Sequence, residues 1–164
     1  YINAYQSYLF NSWLSKRIEI SKLVDAFEPK EIYQKLNLPL EVVKQMKKQK
    51  HPFKLITGDL LSHYPFGKIF TIEDLEEESE KFNERDRVPT GLLSGKRVKN
   101  SEGLAYEIEK EYEENTGEDG ARRFAWVFPE DISSNYKEEK NWMEIQFYLP
   151  KGSYATEVIA EIIH

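Results

Sequence analysis

The feature that most constrains this chain is a stretch near its C-terminus in which apolar and polar side chains alternate. Within residues 142–149 every second position is apolar, namely Met143, Ile145, Phe147 and Leu149. A period of two is typical of a β-strand that buries one face. No other segment has an equally strong strand pattern, and a strand without neighbours would leave backbone groups unpaired. We therefore expect residues outside the chain to complete the sheet, and we expect the chain, which starts at Tyr1 rather than at Met, to be a fragment.

Helical periodicity dominates the rest of the sequence. Between Asn3 and Ser21 the apolar side chains recur mostly at spacings of three and four, which is typical of an amphipathic helix. A poorer helix or a series of turns follows to Asn37. Further helices are predicted over Pro39 to Lys50, from a capping Thr71 to Asn83, after a capping Ser101, and from Tyr154 to Ile163, where Val158, Ile159, Ile162 and Ile163 would be buried.

Shorter segments predict extended structure and turns. Lys54 to Thr57 and Leu60 to His63 flank the dipeptide Gly58-Asp59, and this arrangement predicts a hairpin. Pro89 to Gly95 predicts a loop because it contains a proline and two glycines. Ala121 to Phe128 fits a strand and a helix equally well. The pattern as a whole predicts an α+β fold.

Composition narrows the classes of function. The 164 residues include no cysteine, which excludes disulfides, thiolate catalysis and cysteine-ligated metals and favours a reducing compartment. Charged residues interrupt every apolar stretch well before the ~20 residues that a membrane helix needs. We therefore expect a cytoplasmic protein that has no membrane partner.

The charged residues are segregated along the chain. The net charge of -6 argues against a uniformly basic nucleic-acid binder. Even so, five lysines (Lys44, Lys47, Lys48, Lys50 and Lys54) follow one another without an acid, and acids gather in residues 73–80 and 102–119. On charge alone we predict that RNA phosphates contact Lys96, Arg97, Arg122 and Arg123. Solvated helix faces would account for the same residues, and the sequence does not decide between the two readings.

Several kinds of catalytic site are excluded by their missing motifs. His51, His63 and His164 lack the spacing of metal ligands, so we expect no metal. The chain contains no G-x-S-x-G elbow, no P-loop and no dinucleotide-binding glycine pattern, so a serine nucleophile and phosphate hydrolysis are unsupported. Asp74 is typical of a first helical turn and Asp59 of a turn, and no aspartate stands out as catalytic.

The corner between the predicted last strand and last helix is a candidate ligand site. A turn at Pro150-Lys151-Gly152 leads to Ser153 and Tyr154, just where the helix begins. Amides at a helix start together with Lys151 favour a phosphate, and Tyr154 is able to stack on a base. The alternative is a packed strand-to-helix corner in which Tyr154 belongs to the core.

At these residues the chain resembles the TruD family of tRNA pseudouridine synthases. The segment from Phe147 to Val158 is similar to the family's C-terminal motif, Leu-Pro-x-Gly-Ser followed by an aromatic residue and Ala-Thr. Residues 3–11 (Asn-Ala-Tyr-Gln-Ser-Tyr-Leu-Phe-Asn) are similar to the helix that opens the family's inserted domain. Pro89 to Gly95, with Glu102-Gly103, resembles a loop and helix inside that insertion. The resemblance therefore spans nearly the whole chain.

The resemblance implies two domains and a reaction. Residues 1–128 would be the family-specific insertion, and residues 129–164 the closing strand and helix of the catalytic sheet. The family's catalytic aspartate and its Asn-x-Phe-Gly segment would precede Tyr1, so no aspartate here inherits that role. The implied reaction converts a uridine of tRNA to pseudouridine without a cofactor, with Tyr154, Ser153 and Lys151 lining the substrate pocket. The implied partners are tRNA and the N-terminal catalytic part of the same protein.

Two other classes of function remain open at this point. The basic clusters are also compatible with a stand-alone RNA-binding module. The acidic helices are also compatible with a protein-interaction domain that has no catalytic activity.

Overall fold

The apolar stripe at the N-terminus forms helix α1 (Ile2–Ala26) in a computed structural model that describes residues 2–163. The helix predicted from Asn3 is confirmed and continues beyond Ser21. Two short helices follow, α2 (Pro29–Leu36) and α3 (Leu40–Lys48). A capping box at Glu28 starts α2, and Asn37, whose φ is 53°, ends it. The three helices share a core that contains Ile20, Val24, Ile32, Leu38, Val43, Met46 and Ile56.

Contacts divide the chain into two units, Tyr1–Ala125 and Trp126–His164. The first unit contains these helices and an antiparallel sheet of four strands in the order β2-β1-β3-β4. The strands are β1 (Leu60–His63), β2 (Ile69–Thr71), β3 (Arg87–Leu93) and β4 (Ala121–Phe124).

The strand β1 was predicted correctly, but its partner was not. It pairs with β2 and β3, whereas residues 54–56 form no strand. Side chains satisfy the backbone amides of that segment: Lys54 N donates to Ser21 Oγ, Leu55 N to Gln49 Oε1 and Ile56 N to Asp59 Oδ2. The amides therefore have no need of a neighbouring strand.

The predicted loop Pro89 to Gly95 was also wrong, because its first five residues lie in the central strand β3. A Cβ on Gly91 would lie 2.2 Å from Trp13 Cζ3 and 2.7 Å from Phe10 Cε2. The glycine thus lets α1 approach the sheet closely, which is a packing role and not a turn. Among the described residues, Ala121–Phe124 is a strand, which resolves the ambiguity of residues 121–124.

Two predicted helix caps are corrected by the structure. Helix α4 (Leu75–Asn83) ends where predicted, but Asp74 caps it by accepting from Glu77 N, at 3.0 Å, while Thr71 closes β2. Helix α5 (Gly103–Glu109) has Glu102 at its N-cap position, without a side-chain capping bond, and continues into a 3-10 turn, Lys110–Tyr112. The Ser101 hydroxyl is instead turned toward the helix's far end, where it donates to Glu109 Oε2 at 2.7 Å.

A buried ion pair connects α1 to the segment before β1. Arg17 donates to both carboxylate oxygens of Asp59 at 2.6 and 2.8 Å, with side-chain exposures of 1% and 6%. Arg17 also donates to Lys54 O at 3.0 Å, and its guanidinium lies over the rings of Trp13 and Phe53. Asp59, expected to be only a turn residue, therefore orders the turn through its side chain as well.

The second unit consists of strands β5 (Glu130–Lys137) and β6 (Trp142–Tyr148) and helix α6 (Ala155–Ile163). The strand predicted at residues 142–149 is confirmed. Its expected lack of a partner within the chain is wrong, because β5 pairs with it antiparallel over six residue pairs. The segment of β5 was missed because its only large apolar residues are Ile132 and Tyr136.

Candidate substrate-binding corner and nucleic-acid interface

The corner after β6 keeps its predicted side chains accessible. Gly152 adopts φ 92°, a conformation that favours glycine, and Ser153 N donates to Pro150 O at 3.2 Å to close the turn. Tyr154 precedes α6, and its side chain is 54% exposed. Lys151 is exposed and Ser153 is half-buried. Within this unit, therefore, the ring is not part of a packed core.

The apolar side chains around this corner are only partly covered. No residue from 126 to 163 is buried. Of the α6 residues that were expected to be buried, Val158 and Ile159 are half-buried, and Ile162 and Ile163 are 49% and 73% exposed. On β6 the exposed fraction of Met143 is 61%. The expectation of burial fails because the unit covers α6 and the apolar side of the hairpin only in part.

Of the four basic residues predicted to contact RNA, Lys96 and Arg97 follow β3 at the surface. Lys96 N donates to Glu118 O at 2.7 Å, and the Lys96 side chain is exposed. Arg97 binds the Asp119 carboxylate with three contacts of 2.6 to 3.0 Å, although its side chain is 80% exposed. The Asp119 carboxylate therefore largely compensates the charge of Arg97.

The other two residues lie next to each other on β4, and their side chains have different neighbours. Arg122 is 3% exposed at its side chain and pairs with Glu109 at 2.8 Å while donating to Thr90 O at 2.7 Å. Arg123 lies over the ring of Phe10 at 5.2 Å and donates to Ser7 Oγ at 3.2 Å. The structure thus places Arg122 in the interior and packs Arg123 against α1, so the four residues do not form one basic surface.

The sequence did not predict that charged side chains are buried inside the first unit. Glu109, which is 1% exposed, accepts hydrogen bonds from Ser101 N and Ser101 Oγ and pairs with Arg122. Arg17 was also missed, although its spacing from Trp13 and Ile20 places it within the apolar stripe of α1. That spacing was the signal that could have revealed a buried charge.

His51 is held in its neutral form by its surroundings. Burial, with a smaller contribution from the nearby Lys54 ammonium, lowers the pKa of His51 from 6.5 to about 4. The ring stacks on Phe82 with centroids 3.7 Å apart, and Nδ1 accepts from Phe53 N at 3.1 Å. These contacts are those of a core residue.

Residues 2–163 contain neither a cluster of metal ligands nor a membrane-spanning helix. Within residues 2–163 no three His, Asp or Glu side chains come together in a way that would hold a metal ion. No helix in the same range has both the length and the apolar character needed to span a membrane.

Comparison with known proteins defines the class to which this α+β fold belongs. A crystal structure of a tRNA pseudouridine synthase D from Methanosarcina mazei aligns with a TM-score of 0.56 at 21% identity, over 97% of this chain and 36% of that one. At that identity the likeness shows the fold alone.

Comparison of amino-acid sequences establishes the family to which the chain belongs. The family model for tRNA pseudouridine synthase D (TruD) matches residues 1–162, and the chain belongs to the TruD family. It is 52% identical to the tRNA pseudouridine synthase D of Sulfurimonas denitrificans over 161 residues, which are 98% of this chain and 45% of that protein. The corresponding protein of Nitratiruptor sp. is 52% identical over 164 residues, 99% of this chain and 46% of that protein. The chain thus spans a little under half the length of these relatives.

Proposed function

We propose that this chain is part of a tRNA pseudouridine synthase that isomerises a specific uridine of tRNA to pseudouridine. The observation that carries the proposal is the family match across residues 1–162. In this isomerisation the glycosidic bond breaks, the base turns, and C5 joins the ribose carbon while its hydrogen leaves. The carboxylate that assists the cleavage would lie in the part of the protein outside this chain, and the setting would be the cytoplasm.

We further propose that residues 1–128 form the inserted domain and residues 129–164 the last piece of the catalytic domain. Two features support this division. The compact units divide at residues 125 and 126, close to the proposed boundary. Within the first unit, Arg123 donates to Ser7, so the chain enters and leaves that unit at neighbouring points, as an inserted domain requires.

In this proposal the corner after β6 lines the substrate pocket. The exposed ring of Tyr154 stacks on the uracil or a neighbouring base, and Lys151 and Ser153 contact the phosphate or ribose. Lys96 and Arg97 add peripheral phosphate contacts, with Arg123 beside α1. The buried Arg122 acts only by fixing β4 through Glu109 and Thr90.

The experiment uses the full-length protein and a tRNA transcript labelled with tritium at uracil C5. Because C5 loses its hydrogen when pseudouridine forms, release of tritium reports the reaction. Tyr154→Ala is expected to lower kcat/KM about 10- to 100-fold, the equivalent of a stacking contact, while Tyr154→Phe keeps most activity. Tyr8→Ala, which removes an exposed tyrosine of the first unit at 64% exposure, serves as the matched control. No tritium release by the wild-type protein would refute the proposed function.

A further inference from the structure

Between residue 16 in α1 and residue 72 after β2, basic side chains outnumber the carboxylates that could pair with them. Residues 16–72 contain eleven basic and six acidic side chains. Each of the six carboxylates has a partner: Glu19 pairs with Lys16, Asp25 with Lys54, Glu28 with Lys47, Glu41 with Lys44 and Asp59 with Arg17, while Glu31 accepts from Glu28 N. Five of the six carboxylates are thus used in ion pairs, and Glu31 alone stands against six lysines that form no ion pair within residues 2–163.

Five exposed lysines of α1, α2 and the end of α3 are therefore without a carboxylate partner among residues 2–163. They are Lys22, Lys30, Lys35, Lys48 and Lys50, and we refer to them as the lysine surface. Their charge contrasts with residues 73–125, which hold sixteen acidic and nine basic side chains.

The fold brings several of these lysines toward the C-terminal end of α1. Lys35 Nζ lies 4.5 Å from the centre of the Phe27 ring, and Lys47 Nζ, next to Lys48, donates to Phe27 O at 2.7 Å. Lys54 Nζ binds both Asp25 and Gln49 O at 2.8 Å, which fixes the backbone beside Lys50. Lys22 lies one turn before Ala26 on α1. Lys35 and the backbone segments that carry Lys48 and Lys50 are thus tied to residues 25–27 at the end of α1.

The composition of this surface favours a polyanion over a protein partner. Lysine is depleted in protein-protein interfaces, whereas mobile ammonium groups suit contacts with phosphates. Tyr33 is the one large apolar side chain above 50% exposure in the described part of α2 and α3. Among the residues first predicted to contact RNA, by contrast, Arg97 is paired with Asp119 and Arg122 is buried.

We propose that the lysine surface binds the phosphate backbone of the RNA substrate, at a distance from the reacting uridine and without reading its sequence. The inference rests on the proposed function, since it takes tRNA as the ligand. The surface acts on association and affinity, and it leaves the chemical step unchanged.

The test measures tRNA binding by full-length protein between 50 and 200 mM salt. Two double variants, K48Q/K50Q and K22Q/K35Q, each remove two of the proposed phosphate contacts. Each lost contact reduces the slope of log affinity against log salt by about 0.7 to 0.9, so the fall in affinity across this range becomes about tenfold smaller. Affinity at 50 mM salt should decrease for cognate and non-cognate tRNA alike, while kcat stays at the wild-type value.

The control is K81Q/K110Q, which removes two lysines that already bind Glu77 and Glu107. It should leave the salt slope unchanged. If the slopes of both test variants equal the wild-type value, or if the slope of the control falls as much as theirs, the proposal that the lysine surface binds RNA is contradicted. A wild-type protein that forms no pseudouridine would contradict the proposed function instead, and its salt slopes with tRNA would still decide whether the lysine surface binds RNA.

Discussion

The two units of this chain differ in whether they bury their own apolar side chains. In the first unit, Val24, Ile32, Leu60, Leu61 and Phe82 have no measurable exposure. In the second, no residue from 126 to 163 is buried, although β6 and α6 are strongly amphipathic. Burial of apolar area is the main favourable term in folding, so the first unit has the means to fold independently and the second requires a partner surface.

This contrast agrees with the proposed division of the protein. An inserted domain must be stable at the end of two connections, whereas a terminal strand and helix need only fit a sheet that other residues begin. Under the proposed division, the partly exposed apolar face of the second unit would meet the remainder of the catalytic domain. Exposure of Tyr154 and Lys151 in the same unit has a different reason, because these side chains would face the substrate.

Breaking the buried ion pair of the first unit should have the largest effect. Arg17→Ala leaves the Asp59 carboxylate buried without its partner, and we expect the free energy of unfolding to fall by about 3 to 5 kcal/mol. Chemical denaturation measures this. Lys16→Ala, which removes an exposed pair with Glu19, should change the value by less than about 0.5 kcal/mol. A loss below about 1 kcal/mol for Arg17→Ala would show that the pair does not order this core.

The second-largest loss of stability is expected when a side-chain atom is added at the contact between α1 and β3. The Cβ of Gly91→Ala would meet the rings of Trp13 and Phe10, and we expect a loss of about 1 to 3 kcal/mol. Gly117→Ala is the control, since an added Cβ there meets nothing within 4 Å and only its φ of 81° opposes the change. Equal melting temperatures for wild type and Gly91→Ala would contradict the close approach of α1.

The stability of the first unit should depend on pH through the protonation of His51. Its pKa lies near 4 in the folded state and near 6.5 when unfolded, so between these values the unfolded state binds more protons. Stability conferred by the neutral ring is complete above about pH 6.5 and is lost as the pH falls toward 4, by at most about 3 kcal/mol. Denaturation curves of wild type and His51→Phe across this range isolate the contribution. A wild-type profile as flat as that of His51→Phe would refute it.

The smallest effect is expected at the exposed ion pair. Arg97→Ala removes a bidentate contact with Asp119 whose two side chains are 80% and 61% exposed. Such pairs contribute about 0 to 1 kcal/mol, and we expect a change of less than about 0.5 kcal/mol. A larger loss in thermal denaturation would assign Arg97 a structural role and would weaken its proposed contact with RNA.

The sequence predicted the elements whose apolar residues recur with a strong period. It failed for residues whose conformation or burial depends on tertiary packing. The stripe of α1 and the alternation in β6 were sufficient to place both elements. The strand β3 was not predicted because glycine and proline are typical of loops, whereas in this strand the glycine accommodates Trp13. Arg17 was overlooked because a charged residue in an amphipathic helix is usually solvated, and only the fold supplies Asp59 as its partner.

The candidate site was predictable in one part and not in the other. The turn at Gly152 and the start of a helix after Tyr154 follow from local sequence, and the structure has both. The prediction grouped the four basic residues by charge alone, and composition does not reveal that Arg122 pairs with Glu109 or Arg97 with Asp119. The carboxylates that neutralise lysines of residues 16–54 lie up to 29 residues away along the chain, as Asp25 and Lys54 do, so the unpaired lysines are visible only in the fold.

Hydrogen exchange of the backbone amides of β6 tests the contrast between the units most directly. It should be measured in the 164-residue chain and in the full-length protein, with β3 as an internal reference. We predict that β6 amides exchange at least about 100-fold more slowly in the full-length protein, while β3 is equally protected in both. Equal protection of β6 in the two proteins would show that the second unit is complete by itself and would contradict this account.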